Sequence, residues 1–291
     1  MPLWYIYIVG DFFYCVICYI IPYRKKVVQK NLALSFPNES PAELKRITKK
    51  FYHFFSDLFA ESIKNLFISE KKLKERLIVR NPEVMEQFYE QGKNVILLSS
   101  HFNNWEFLIT AQNLLFCAQA VGIGTPLSNK FWDKKITERR ERFGMKVVNA
   151  KNYKDILPTL TEKPTATLVL GDQSPGKNEN CYWTTFLNQP TAFYFGAEFM
   201  ANEFDMPVIS GTIHKLKRGR YELELKVITA QPKMEQYGFI TEQYIRQLEE
   251  NIIAEPQYWL WSHKRWKKEV PKNLEEIQEH HHQRFLERFR K

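Results

Sequence analysis

His101 and Glu106 are the residues of this sequence whose types and spacing best fit a chemical step. They bracket the stretch His101-Phe102-Asn103-Asn104-Trp105-Glu106. An imidazole titrates near neutral pH, and a carboxylate beside it fixes its tautomer and raises the basicity of the outward nitrogen. Such a pair is a general base with its orienter, suited to taking a proton from a hydroxyl as that hydroxyl attacks. Ahead of it, Val95, Ile96, Leu97 and Leu98 have the length and composition of a buried strand. Behind it, Asn103 or Asn104 can cap a helix by taking its unpaired first amides. Trp105, Phe107, Leu108 and Leu114 then form that helix's apolar face. His101 is therefore expected where a strand ends and a helix begins, the side of an open α/β sheet where ligands bind. Glu106 is expected about one helical turn further on, close enough to turn back to the imidazole. The competing reading is structural: a histidine plugging a strand end, and a glutamate in a first helical turn where the macrodipole favours it.

Residues 3–21 are apolar except for Asp11 and a glycine. As a helix the run would reach roughly 28 Å, near the hydrocarbon thickness of a bilayer. Its tyrosines and Trp4 suit a membrane interface, Pro22 is expected to end it, and Arg24, Lys25, Lys26 and Lys30 follow at once. Residues 1–22 are thus expected to anchor the chain in a membrane, with 23–291 forming one domain on the cytoplasmic side. A helix lying in the interface is the rival arrangement. Ser40-Pro41-Ala42-Glu43 reads as a capping box opening a helix to about residue 67. Further helices are expected over 129–143, 154–160, 191–202 and 241–254, with strands over 120–123, 165–170, 208–214 and 221–227. Strands alternating with helices predict an α/β fold, a mixed central sheet flanked by helices.

The chain has 291 residues, a formal net charge of +9 and 15% aromatic residues. Acidic partners follow from that charge: nucleic acid, anionic lipid, a phosphorylated substrate or an acidic carrier protein. Cys15 and Cys18 form a C-x-x-C inside the apolar run, without a second ligand pair, and read as small apolar residues on a helix face. His280, His281 and His282 are consecutive, so on a helix they point in different directions, which disfavours a metal site. The sequence contains no G-x-S-x-G, P-loop, G-x-G-x-x-G or zinc-ligand spacing. This narrows the chemistry to a histidine–carboxylate site without a covalent nucleophile, and leaves a non-enzyme open.

His101-x-x-x-x-Glu106 matches the H-x-x-x-x-[D/E] signature of glycerolipid-type acyltransferases. The rest of the chain resembles one branch, the lipid A biosynthesis acyltransferases that add secondary acyl chains. Tyr23-Arg24-Lys25-Lys26-Val27-Val28, Asn31-Leu32 and Ser35-Phe36-Pro37 resemble their opening segment. Arg140-Glu141-Arg142-Phe143-Gly144 is similar to their arginine-bearing helix end. Asp172-Gln173 with Gly176 resembles their D-Q-x-x-G loop, and Pro190-Thr191-Ala192 with Gly196-Ala197 the helix after it. Pro256 to Lys267, with Tyr258, Trp259, Trp261, His263, Arg265 and Trp266, resembles their closing motif.

The resemblance implies transfer of a fatty acyl chain from acyl carrier protein to a hydroxyl of a Kdo-bearing lipid A precursor, at the cytoplasmic face of the inner membrane. His101 would be the base and Glu106 its orienter. The tetrahedral oxyanion needs donors. Arg140 or Arg142, or a main-chain amide near the site, would serve; the arginines would otherwise grip a substrate phosphate through two guanidinium nitrogens, or one of them would simply lie on the surface. Asp172 and Gln173 would order an arginine or the loop they sit in, or simply turn the chain. Trp261, His263 and Arg265 are expected to pack the domain and to face membrane or phosphate. No cofactor is needed, because the donor thioester carries the activation. The same chemistry on an aminolipid or glycerolipid is one alternative. A membrane-anchored protein that binds lipid or carrier without turnover is another. A nucleic-acid binder lacks its recognisable module here.

Overall fold

The computed structural model describes residues 3–21, 23–126, 128–160, 162–176 and 181–290. Helix α1 (Leu3–Cys15) runs into a π-helical turn at Val16–Ile20. It is followed by α2 (Lys25–Ser35), α3 (Pro41–Asn65), α4 (Glu70–Lys74), strand β1 (Leu77–Val79) and α5 (Glu83–Glu90). Pro22, expected to end the apolar run, lies outside the described residues. The central βα unit is β2 (Val95–Ser99) and α6 (Trp105–Leu115), then β3 (Gln119–Gly124), α7 (Lys130–Glu141), β4 (Lys146–Asn149), α8 (Tyr153–Ile156) and β5 (Thr165–Leu170). The chain closes with the hairpin β6 (Cys181–Phe186) and β7 (Gln189–Tyr194), α9 (Gly196–Phe204), β8 (Val208–Lys217), β9 (Arg220–Thr229), α10 (Phe239–Ala254) and α11 (Leu274–Phe289).

Seven strands form one sheet in the order β1-β9-β8-β2-β5-β3-β4. Every pair is parallel except β8 with β9, so the sheet is mixed, as expected. Strand β2 lies at its centre and is buried along its whole length, which explains why Val95 to Leu98 shows no alternation. The α3 cap forms as read: Pro41 opens the helix and Ser40 Oγ accepts the amide of Glu43 at 3.2 Å. The reciprocal half of the capping box does not form, because the Glu43 carboxylate takes Arg46 instead, at 2.6 Å from its Nε. Asn129 Oδ1 caps α7 by accepting the amides of Phe131 and Trp132, and Gly144 has φ +93° beyond that helix.

One expectation fails in an instructive way. The helix expected over 191–202 begins only at Gly196, and its first four residues belong to β7. Thr191, Phe193 and Tyr194 are β-branched or aromatic, and Pro190 disfavours a helix in the residue before it. Leu187 and Asn188, at φ 47° and 64°, form the two-residue left-handed turn that joins β6 to β7.

Helix α1 lies against α3 along polar as well as apolar contacts. Gly10 makes this approach possible: a Cβ there would stand 3.3 Å from the Cβ of Ala60, and Ser56 Oγ donates to the Gly10 carbonyl. Asp11, the charged exception in the run, pairs with Arg218 of the β8–β9 turn. Among the described residues no single helix is long and apolar enough to cross a membrane. The segments Trp4–Ile20 and Lys25–Ser35 reach that length only as a pair bent by 83°. Cys15 and Cys18 are both free, Cys15 exposed.

Candidate active site

The parallel register of β2 and β5 builds the centre of the site. Ser99 lies opposite Leu170, and the amide of Gly171 donates to the Ser99 carbonyl at 3.1 Å. Each chain then runs two residues past its strand, which brings His101 and Asp172 side by side. The His101 amide donates to Asp172 Oδ2 at 3.0 Å, and Nδ1 lies 2.7 Å from Asp172 Oδ1. Trp259 Nε1 donates to the same Oδ2 at 2.9 Å. Asp172 is almost completely buried. Burial alone would push its pKa up, but the neighbouring imidazole and the hydrogen bonds from His101 and Trp259 hold it below the ordinary aspartate range. A carboxylate at Nδ1 fixes the proton there and leaves Nε2 outward with its lone pair. Gln173 Nε2–H donates to that Nε2 at 3.1 Å, and Trp105 meets the imidazole edge-on with centroids 5.0 Å apart.

Glu106 is not the partner of His101. Its carboxylate takes Arg139 in a close ion pair and reaches Arg140 Nη2 at 3.6 Å. The reason is local: Glu106 lies in the first turn of α6, and α7 packs its basic last turn alongside. Burial lowers the pKa of Arg139 to about 10, helped by the like charge of Arg140, and burial lowers Arg140 as well. Arg142 points elsewhere, donating to the Leu66 carbonyl at 2.9 Å from an exposed position over the ring of Phe143. The two arginines that the sequence left equivalent are therefore distinct. Arg139, the strongest partner of Glu106, was visible only as one of six basic residues on the helix.

His101, Arg140 and Gln173 border a cavity of about 610 Å³. Much of its lining is apolar, from residues such as Leu98, Ile109, Met145, Leu168 and Met200. Gly122 is part of the wall: a Cβ there would meet Met145 Sδ at 3.0 Å. The volume and lining suit a drug-sized or acyl ligand.

The closing motif supports this site from below. Trp261 and Arg265 are completely buried and do not face solvent or membrane. Trp261 Nε1 donates to the Pro256 carbonyl at 2.5 Å. Arg265 lies 4.0 Å over the ring of Phe193 and donates to Thr191 Oγ1 at 2.7 Å. His263 Nε2 accepts the amide of Ser174 at 3.1 Å, so it pins the loop that carries Asp172 and Gln173. Burial lowers its pKa to about 4, keeping it neutral and able to accept. The opening segment meets this motif directly: Asn31 Nδ2 donates to the carbonyls of Trp261 and His263, both at 2.9 Å, and Arg24 to that of Ser262 at 3.0 Å. These five side chains hold the loops of the site in place, a role the sequence assigned only in part.

Residues 1–268 match the family described as bacterial lipid A biosynthesis acyltransferase. The chain belongs to this family. It is 21% identical over 248 residues to the lipid A biosynthesis palmitoleoyltransferase of Escherichia coli (strain K12), covering 84% of this chain and 79% of the relative. The lipid A biosynthesis acyltransferase of Shigella flexneri matches to the same extent. The lipid A biosynthesis lauroyltransferase of Escherichia coli (strain K12) is 20% identical over 245 residues, with the same coverage. The protein is thus an acyltransferase, and its fold places His101 to Glu106 directly after the central strand, with His101 on the cavity lining. Asp11, His53 and Asp57 bring three ligand atoms within 4.8 Å of one another, away from this site. Arg218 pairs with both carboxylates and Lys215 with Asp57, which makes the group a salt-bridge network.

Proposed function

We propose that this acyltransferase moves a fatty acyl chain from acyl carrier protein to a hydroxyl of a lipid A precursor. The observation that carries the reading is an outward imidazole nitrogen, backed by a buried carboxylate, on the lining of a largely apolar cavity. The cavity takes the acyl chain and sets the thioester carbon near His101. His101 Nε2, freed when Gln173 swings aside, accepts the proton of the acceptor hydroxyl as its oxygen attacks that carbon. Asp172 stabilises the imidazolium that forms. Arg140, at the cavity wall and backed by Glu106, stabilises the oxyanion. Collapse of the tetrahedral intermediate expels the carrier thiolate, which takes the proton from His101. No cofactor is called for, because the thioester supplies the driving force.

The charge of +9 suits an acidic carrier and a phosphorylated glycolipid. The protein works at the cytoplasmic face of the inner membrane. Trp4, Ile8, Phe12 and Tyr19 along the amino-terminal helical segment, with Phe59 and Phe67 nearby in sequence to the α3 face it packs on, stay exposed and supply apolar contact with lipid. Exposed Lys25, Lys26 and Lys30 on α2 add attraction to anionic headgroups.

The test is turnover by the full chain in detergent, with acyl carrier protein loaded with mixed chain lengths and a Kdo-bearing lipid A precursor. Mass spectrometry reads the added acyl mass, with His101→Ala as control. A gain that depends on His101 is expected. A gain retained by His101→Ala would remove the mechanism, and no gain on this lipid with a gain on an aminolipid or glycerolipid would replace the acceptor.

A further inference from the structure

Glu61 of α3 is completely buried, and its partners are two phenols and an amide rather than a cation. Tyr7 of α1 donates to Oε1 at 2.6 Å. Asn104 Nδ2 and the hydroxyl of Tyr221 on β9 donate to Oε2 at 2.5 and 2.8 Å. Burial raises the pKa of Glu61, and these three donors counter it. A carboxylate kept in such a place at a desolvation cost fixes geometry that an apolar residue would leave loose.

What it fixes is the segment that carries the chemistry. Asn104 caps α6, its Oδ1 accepting the amide of Phe107 at 2.9 Å while its Nδ2 is held by Glu61. Asn103, at φ +54°, donates from Nδ2 to the Ile213 carbonyl at 2.8 Å. Phe102 pairs with Trp259, whose indole holds Asp172. One turn further along the same face of α3, Asn65 Nδ2 donates to the Glu106 carbonyl at 3.1 Å and to Thr110 Oγ1 at 2.8 Å. His101 to Glu106 is therefore pinned at several points. The pin at Asn104 continues through one carboxylate to Tyr7 on the amino-terminal helix.

We propose that Glu61 is a positioning residue that couples the seating of α1 to the geometry of the His101–Glu106 segment. With α1 docked, Tyr7 saturates Oε1 and the carboxylate stays aimed at Asn104. When α1 lifts, Glu61 loses that donor and the Asn104 cap loses its fixed anchor. The inference rests on the acyl-transfer reading for its kinetic arm only.

The experiment uses three full-length variants. Glu61→Gln keeps the shape but leaves one acceptor oxygen for three donors: with that oxygen on Asn104 and Tyr221, its N–H makes the Tyr7 hydroxyl the acceptor and reverses the link to α1. Tyr7→Phe removes the α1 hydroxyl alone. Asn104→Ser keeps a good helix cap and removes the reach to Glu61. Each is measured for kcat and KM, for melting temperature, and for the rate at which diethyl pyrocarbonate modifies His101, read by peptide mass spectrometry against exposed His53. Misplaced reacting groups should lower kcat roughly ten- to a hundredfold in Glu61→Gln at unchanged KM. Tyr7→Phe and Asn104→Ser should fall in the same direction, and His101 should become severalfold more reactive in all three. Wild-type kcat and wild-type His101 reactivity overturn the proposal, whatever the melting temperature does. If Glu61→Gln does not fold, the other two variants decide by the same criteria. If the wild-type chain transfers no acyl group, the functional reading fails while the His101 reactivity still decides the coupling.

Discussion

Replacing Asp172 with asparagine should disable the base by reversing its tautomer. The two carboxylate oxygens accept three N–H groups: His101 Nδ1 on Oδ1, and the His101 amide and Trp259 Nε1 on Oδ2. A main-chain amide and an indole cannot become acceptors. The single oxygen of an asparagine must therefore stay at the Oδ2 position, where two donors meet. Its NH2 group then faces His101 Nδ1. That nitrogen can only accept, so the ring proton moves to Nε2 and the lone pair needed for proton abstraction disappears. The same substitution in a serine protease triad lowers kcat about 10⁴-fold through the wrong tautomer. A loss of about 10³- to 10⁴-fold, or ~4–5.5 kcal/mol in activation free energy, is the expectation here. KM should change little, because Asp172 is buried behind the imidazole and touches no substrate. Initial rates by mass spectrometry measure both constants, with circular dichroism to check the fold. Retention of more than a tenth of the wild-type kcat would refute the tautomer reasoning and return the role of orienter to Glu106.

Arg140→Ala should lower kcat by about 10²-fold, the usual cost of one oxyanion donor, while Arg142→Ala, which loses an exposed bond to the Leu66 carbonyl and the contact with the Phe143 ring, should stay within about twofold of wild type. Equal losses in the two would mean that neither faces the reacting carbon. Gly122→Leu should push into the cavity against Met145 and shorten the preferred acyl chain, each methylene that no longer fits costing ~1–3 kcal/mol in kcat/KM. Competition between carrier-bound chains of different length reads this directly, and an unchanged preference would place the chain elsewhere. Stability should also carry a pH signature. Burial holds His281 at a pKa of about 4, assisted by Arg284, His280 and His282, against an ordinary value of 6.5. Its folded pKa lies below its unfolded one, so its contribution is present above pH 6.5 and lost as pH falls toward 4. Glu198, raised by burial to about 7, acts with the opposite sign, its contribution fading as pH rises toward 7. The stability difference between wild type and His281→Asn, from urea unfolding, should therefore widen from pH 4.5 to pH 6.5; a constant difference would contradict it.

The centre of the fold was legible because its signals are local. Val95 to Leu98 is a continuous apolar run, Asn104 is a cap, and Pro41 and Gly144 punctuate helices at their ends. Strand β1 has three residues and β4 four, too short to display a period. The β6–β7 hairpin was missed because its turn, Leu187-Asn188, lacks the Asn-Gly type of marker. The error at the site has a different origin. Glu106 is near His101 in sequence, and Asp172 is 71 residues away. Only the register of β2 with β5 makes them neighbours, and register is a property of pairing rather than of either strand.

That register also explains why the sequence pairs a histidine with a glutamate five residues later without joining them. His101 lies at the tip of β2 and its Nδ1 faces the tip of β5, where a carboxylate is already held by Trp259. Glu106 starts a helix and faces α7, whose last turn presents Arg139 and Arg140. A glutamate turned toward His101 would take from those two guanidiniums the carboxylate they share. With Glu106 on the arginines, the two guanidiniums share one carboxylate, and Arg140 is held at the cavity wall, where the proposed reaction would develop negative charge. In the proposed mechanism the five-residue interval would thus span one base and the support of one cation. On this reading, removing the Glu106 carboxylate should weaken catalysis through Arg140: the loss in Glu106→Gln should largely vanish in an Arg140→Ala background, whereas the loss in Asp172→Asn should persist there. Additive losses for Glu106→Gln and Arg140→Ala would separate the two residues and defeat the argument.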